Sequence, residues 1–519
     1  MDYYFIRGCI IALSSIIVYW LYWRWSHRRT LMLATQLPGP PTLPILGNAL
    51  TFMTNPEEQL KTIAGLIETY GDYVRFWLGP DLIICVKDPQ DIRHLLTSNK
   101  VNQKGPAYDY MTPFIGKGIL TGGTKWRIYR KISNPSYNKK SIEIFVTVFN
   151  QEAERLGNIL YSKESEIFNL YFDVLQCTTQ SVCRTLMGLS ERDIIEIRNL
   201  EDVILETQNM YSLMFSKMTK WWLQIPIIFW LSGQYKRQRY YLKIVNEMIT
   251  DMIEKRRKSL TEGNDTEAMG VIDRFILSGL SENEIKLQTF ALFTTSQEAS
   301  AKIASGVLVF LAHLPEWQTK VYDEIVQVLG HNDEYVTEEQ IKKLQYLDMV
   351  YKEVLRYLSI AALIQRTVEE DVTINNGKIT LPAGTIVVVP IHEVHRDPRF
   401  WDEPLRVKPE RFLPDNQRNR DPNAFIPFSL GAMDCLGRVY ATTLIKTIVI
   451  RVLRRVELFA EGKLEDLDLH VAISVKFAYT SRLFHCGRHR SRNSICSDPC
   501  IHTTLTYSMY FNQCFHTYF

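Results

Sequence analysis

Cysteine is scarce in this chain and scattered: nine among 519 residues, with Cys85, Cys177, Cys183 and Cys435 far apart in its body. An odd number at such spacing argues against the disulfide framework of a small secreted protein and fits a reducing compartment. The sequence has neither a Walker loop nor a Gly-x-Gly-x-x-Gly fingerprint, so it is not expected to hold a flavin or nicotinamide of its own. It has no low-complexity tract, no internal repeat and no concentrated basic stripe; a net charge of +3 gives no reason to expect nucleic acid as a partner. What remains is a globular chain, 46% hydrophobic and 23% charged, long enough for one large core or a few ordinary domains.

One long apolar run is present, at the N-terminus. From Tyr3 to Trp25 almost every residue is apolar or aromatic, and about 20 such residues cross a bilayer. Trp20, Trp23 and Trp25 gather at one end as interfacial aromatics do, and Arg24, Arg28 and Arg29 accompany and follow them. No small-residue cleavage site comes next, so residues 1–29 are predicted to be an uncleaved, single-pass membrane anchor with the remaining chain in the cytosol. Residues 30–48, basic and then proline-rich (Pro38, Pro40, Pro41, Pro44), read as a stiff hinge. Residues 49–490 form the body. Residues 491–519, rich in Ser, Thr, Tyr, Cys and His without a period, read as a C-terminal tail of unassigned role. Cys486, Cys496, Cys500 and Cys514 offer zinc ligands there, but a peripheral tail is the simpler reading.

Within the body, Tyr73–Leu78 and Leu82–Val86 flank Gly79-Pro80-Asp81 and read as a hairpin; Lys378–Leu381 and Thr385–Val389 read as strands. From about Asn138 to Leu314 the period is helical. The predicted fold class is mainly α with a small β region drawn from both ends of the chain. His392 and His395 have metal-like spacing but no evident third ligand.

The residues that carry chemistry centre on Phe428-Ser429-Leu430-Gly431-Ala432-Met433-Asp434-Cys435-Leu436-Gly437, just before an apolar helical run. A cysteine on a glycine-pinched loop at a helix start has its thiolate stabilised by the helix N-terminus, which also tunes any iron bound to it. The stretch resembles the haem-binding loop of the cytochrome P-450 family, Phe-x-x-Gly-x-Arg-x-Cys-x-Gly. Phe428, Gly431, Cys435 and Gly437 match; Met433 stands where the family has Arg or His. Other signatures follow in the family's order. Glu353-Val354-Leu355-Arg356 and Pro409-Glu410-Arg411-Phe412 resemble the segments whose Glu353, Arg356 and Arg411 equivalents form a buried structural network. Trp126-Arg127-Ile128-Tyr129-Arg130 resembles the Trp-x-x-x-Arg helix. Trp126, Arg130 and Arg366 are thereby implied as partners of the haem propionates, with the two arginines carrying the charge that position 433 lacks.

A long helix from about Glu284 to Leu314 is expected across the distal face. Its Thr295-Ser296-Gln297-Glu298-Ala299-Ser300 resembles the family's Ala/Gly-Gly-x-Asp/Glu-Thr-Thr/Ser. The acid is kept as Glu298 and the last hydroxyl as Ser300, both implied as catalytic. The threonine that serves dioxygen in the family is Ala299, which has no donor or acceptor. Ser300 lies about 100° further round the helix.

The resemblance covers about residues 38–490 and the anchor, and implies the cytochrome P-450 fold preceded by a transmembrane helix. Phe149–Leu156 and Ile253–Arg257 are similar to the microsomal clan of fatty-acid ω-hydroxylases and their insect relatives; Thr295 replaces the glutamate that some of them esterify to haem. The implied cofactor is haem b, with Cys435 as axial iron ligand and NADPH acting only through a reductase. The implied activity is monooxygenation of a lipophilic substrate at the endoplasmic reticulum membrane. NADPH-cytochrome P-450 reductase is the implied partner, with a cytochrome b-type donor as a second source of electrons. Two other readings stay open: a haem-thiolate isomerase or dehydratase that needs no O2, and a catalytically impaired haem-binding relative.

Overall fold

The computed structural model describes residues 2–54, 56–163, 170–263, 269–331 and 333–464, and the strand segments 469–471, 475–477 and 483–487. The tail at 491–519, with Cys496, Cys500 and Cys514, lies outside the described residues. The helices that build the site are α1 (Asp2–Ser26), α2 (Trp126–Ser133), α3 (Lys139–Ser162), α4 (Leu170–Thr185), α5 (Leu200–Thr219), α6 (Gln234–Thr261), α7 (Glu282–His313), α8 (Gln345–Leu358) and α9 (Arg438–Arg455). The strands are β1 (Tyr73–Leu78), β2 (Asp81–Val86), β3 (Gln103–Lys104), β4 (Ile364–Thr367), β5 (Val372–Ile374), β6 (Ile379–Leu381) and β7 (Ile386–Val389). The architecture is mainly helical with a small β region.

α7 is the mast of the fold. Ser281 Oγ accepts the Glu284 N–H, and the Glu284 carboxylate accepts the Ser281 N–H at 3.1 Å, a reciprocal cap that starts the helix. At the other end Leu314 turns extended ahead of Pro315, which opens the next helix. Most side chains from Ile285 to Ala312 are buried, Gln288, Gln297, Glu298 and Lys302 among the apolar ones, as in a helix at the centre of a core. It packs against α4, α8 and α9. Gly306 lets α8 approach, since a Cβ there would lie 2.5 Å from Leu358.

The sheet has the order β1-β2-β7-β4-β3. The β1–β2 hairpin turns at Gly79, with φ +59°. β2 then pairs parallel with β7 (Ile83 opposite Ile386), joining the two ends of the chain. β5 and β6 form a separate hairpin.

The membrane-spanning helix expected over residues 1–29 is not shown. α1 is helical and presents Phe5, Ile10, Ile11, Ile17, Tyr19 and Trp25 exposed. However, among the described residues no helix is long and apolar enough to cross a membrane. Tyrosines, tryptophans, Ser14-Ser15 and Arg7 dilute the aliphatic run. Its C-terminal end is fastened to the body. Trp23 meets Trp77 edge-on at 5.7 Å, and Asn48 bridges Pro41 O (2.8 Å) and Trp77 N (2.9 Å).

Candidate active site

The Cys435 loop is built by backbone constraints. Cys435 N–H donates to Phe428 O at 2.9 Å and Asp434 N–H to Gly431 O at 3.2 Å, folding the loop on itself. Gly431 has φ +78°, and a Cβ there would sit 2.0 Å from Leu96 O, so only glycine fits. Gly437 caps α9 two residues after the cysteine. Of the four cysteines whose side chains are described, three are buried and Cys435 alone is exposed. Burial pushes its thiol pKa up, while a hydrogen bond from the Gly437 N–H and the charges of Arg130 and Arg438 pull it down against Asp434.

Behind the loop, Arg356 makes a two-pronged ion pair with Glu353, 2.8 Å on each arm, with both side chains buried. Arg411 joins at 3.4 Å, and Lys408 N–H donates to Glu353 at 2.8 Å. Arg356 also donates to the carbonyls of His395 (2.9 Å) and Pro404 (2.8 Å). The His395 ring continues the chain: Ile426 N–H donates to its Nε2 at 3.0 Å, and Nδ1 meets Ser359 Oγ at 2.9 Å. Burial and the charges of Arg356 and Arg396 hold this histidine at a pKa of about 3. The ring is therefore neutral, with Nε2 the acceptor and Nδ1 the protonated nitrogen. His395, which the sequence suggested only as half of a metal-like pair, is the link between the charged network and the base of the cysteine loop.

The predicted propionate partners separate. Trp126 and Arg366 are buried. Arg366 donates to Gln365 O at 2.9 Å and has no carboxylate partner among the described residues. Arg130 is engaged elsewhere: it donates to Asp434 O and Asp434 Oδ1, each at 2.8 Å, and to Asn134 Oδ1 at 3.1 Å. Arg130 thus meets Asp434, next to the cysteine. A lysine missed by sequence reasoning stands near. Lys104 pairs with Arg366 across β3 and β4 and rests 4.9 Å over the Tyr108 ring. Its two-residue polar strand bears no motif, so only the register brings it here. An exposed sulfur at a helix N-terminus beside a buried arginine without an acid fits an iron porphyrin with anionic edges.

On the distal side lies a cavity of about 280 Å³. Met210, Met214 and Met218 of α5 line it at helical spacing, facing Phe290, Glu298 and Ala299 of α7. Methionines make an adaptable apolar wall. Glu298 is buried, pairs with Lys302 one turn on and accepts from Gln208 Nε2 at 2.9 Å. Lys302 was legible as an i,i+4 partner and was missed. Tyr211 and Thr294 hydroxyls meet at 3.1 Å. Ser300 is buried but is not part of the cavity wall, whereas Ala299 is.

The family model described as Cytochrome P450 matches residues 37–475. Among curated proteins the chain is similar to cytochrome P450 4c3 of Drosophila melanogaster, 28% identical over 489 residues, 89% of this chain and 91% of that one. It is similar to cytochrome P450 4V2 of Homo sapiens, 28% identical over 454 residues, 82% and 85% of the two chains. It is also similar to cytochrome P450 4d1 of Drosophila melanogaster, 30% identical over 509 residues, 90% and 96%.

Proposed function

The chain belongs to the cytochrome P450 family of haem-thiolate monooxygenases, and we propose that Cys435 is the sulfur that ligates its haem b. A haem held there would supply dioxygen activation: with two electrons relayed from NADPH by a reductase and two protons, one oxygen atom would enter the substrate and the other would leave as water. The observation that carries the assignment is Cys435 itself, the exposed cysteine at the start of α9, with the Gly437 N–H on its sulfur. That N–H and the helix N-terminus favour the thiolate. Phe428, Gly431 and Gly437 shape the loop, and Glu353, Arg356 and Arg411 keep its base rigid. Trp126, Arg130 and Arg366 hold the anionic edge of the haem.

Glu298 relays protons to the cavity, its carboxylate aimed by Gln208 and Lys302. Ala299 contributes no hydroxyl, so Ser300 or ordered water completes the path. The substrate is lipophilic, and no lysine or arginine is among the residues that line the cavity, which favours an uncharged ligand. The reductase, or a cytochrome b-type donor, docks where Arg127, Lys131, Lys139 and Lys140 are exposed around α2 and the start of α3. α1 seats the protein in the endoplasmic reticulum membrane, with the body on the cytosolic face.

The test is the absorption spectrum of the dithionite-reduced, haem-supplied chain under carbon monoxide. A strongly red-shifted Soret band, lost in Cys435→Ser, is the expected result. A folded chain without that band would sink the assignment. Ala299 favours a second reading, an isomerase or dehydratase, which would turn over without NADPH or reductase. Met433 together with Ala299 favours an impaired relative, which would bind haem and turn over under neither condition.

A further inference from the structure

The wall of the distal cavity carries few groups able to hold a polar ligand, and most of them are already engaged. Thr207 Oγ1 donates to Val203 O and Thr295 Oγ1 to Ala291 O, each at 2.7 Å. Glu298 is taken by Gln208 and Lys302. Gln365 Oε1 accepts the Ala107 N–H at 3.2 Å, and the Tyr108 hydroxyl lies against Arg366. The Tyr211 and Thr294 hydroxyls differ. They meet at 3.1 Å between α5 and α7, and either can donate to the other. Two O–H groups that share one bond leave one proton over, and no acceptor for it stands among the described residues. Burial and the Glu298 carboxylate keep the Tyr211 phenol above its ordinary pKa, so that proton is retained. The charge of the wall also selects. Glu298 lines the cavity and no lysine or arginine does, so a carboxylate brought inside would lack a cationic partner.

We propose that the cavity takes a neutral lipid carrying an acceptor oxygen, such as a ketone, aldehyde, ester or ether, and that the Tyr211–Thr294 hydroxyl pair donates the hydrogen bond that fixes it. This rests on the haem-thiolate reading of the site and narrows its lipophilic substrate to a chemical class. The pair is a specificity device. A free fatty acid is refused for want of a cation, and a plain hydrocarbon leaves the donor unpaired. Met210, Met214 and Met218, on the same helix as Tyr211, bear the alkyl part.

The experiment is equilibrium dialysis of the full-length, haem-loaded chain against 2-decanone, its isostere 2-methyl-1-decene, and decanoate. The melting of each variant is recorded alongside. The parent is expected to bind decanoate on the order of tenfold more weakly than the ketone. The double variant Tyr211→Phe/Thr294→Val removes both hydroxyls and keeps both shapes. It should weaken the ketone about fivefold and leave the alkene within about twofold of the parent. An unchanged ketone affinity overturns the proposal. So does an equal loss of ketone and alkene with earlier melting, because that marks a packing role. Decanoate bound by the parent as tightly as the ketone overturns it too, as does a parent that binds none of these probes. A parent chain without the carbon monoxide band fails the family reading itself, and that is known before any probe is added.

Discussion

The Glu298 carboxylate sits inside the apolar wall of the cavity because Lys302, on the same helix face, comes to it. A buried charge stripped of its ion-pair partner is costly, on the order of 3–5 kcal/mol. Lys302→Met should therefore lower the unfolding free energy by about that amount, and adding Glu298→Gln should return most of it. Denaturant titration of the two variants decides this; equal stability of Lys302→Met and the parent would reject the pair as a structural unit. At this scale the sequence was readable where chemistry comes as a motif. Cys435, Gly431, Glu353 and Arg356 stood out because loops and bidentate pairs need those residue types at that spacing. Lys104 and His395 did not, because their partners are hundreds or tens of residues away and only folding sets the distance. The contact of Arg130 with Asp434 was out of reach for a related reason: nothing in a linear pattern brings residues 304 apart together.

At the scale of elements, His395 acts as a clamp between the Glu353–Arg356 pair and the cysteine loop, and it works only when neutral. Its pKa of about 3 lies below the ordinary 6.5. The unfolded chain therefore binds a proton below pH about 6.5 that the folded chain refuses, so stability is lost as pH falls from there and levels off near 3. The slope from this one ring is at most about 1.4 kcal/mol per pH unit. The urea midpoint of the haem-free parent should fall more steeply between about pH 7 and pH 5 than that of His395→Gln. Parallel falls would show that the ring does not titrate on unfolding. The elements themselves were largely legible: the hairpin at residues 73–86 alternates around a Gly-Pro turn, and α7 was placed within two residues by Pro315 at its end. The pairing order of the sheet was not legible, since β3 is two residues long and carries no alternation.

For the whole molecule, the sequence suggested a mainly helical body with β structure from both chain ends, because helical and alternating periods occupy separate stretches. The span expected of the N-terminal helix is not shown. Its length suits a span, but its tyrosines, tryptophans and serines leave it short of the apolarity a crossing helix has. Its exposed apolar side chains still call for a non-aqueous neighbour. The full chain should float with phospholipid vesicles in a density gradient, and a chain lacking residues 2–26 should stay below. A full chain that remains at the bottom would remove the membrane from the account.

The parallel pairing of β2 with β7 sets a schedule. Residue 83 finds its neighbour only after residue 386 has been made, and at roughly 5–20 residues per second that is a wait of about 15–60 s on the ribosome. Through that interval β2 is an unpaired apolar edge, and Lys104 has no Arg366 beside it. The cysteine loop emerges later still. The seat for the prosthetic group is thus completed late, and a nascent chain stalled before Cys435 would have a cavity wall and a helical mast but no means of taking up its iron.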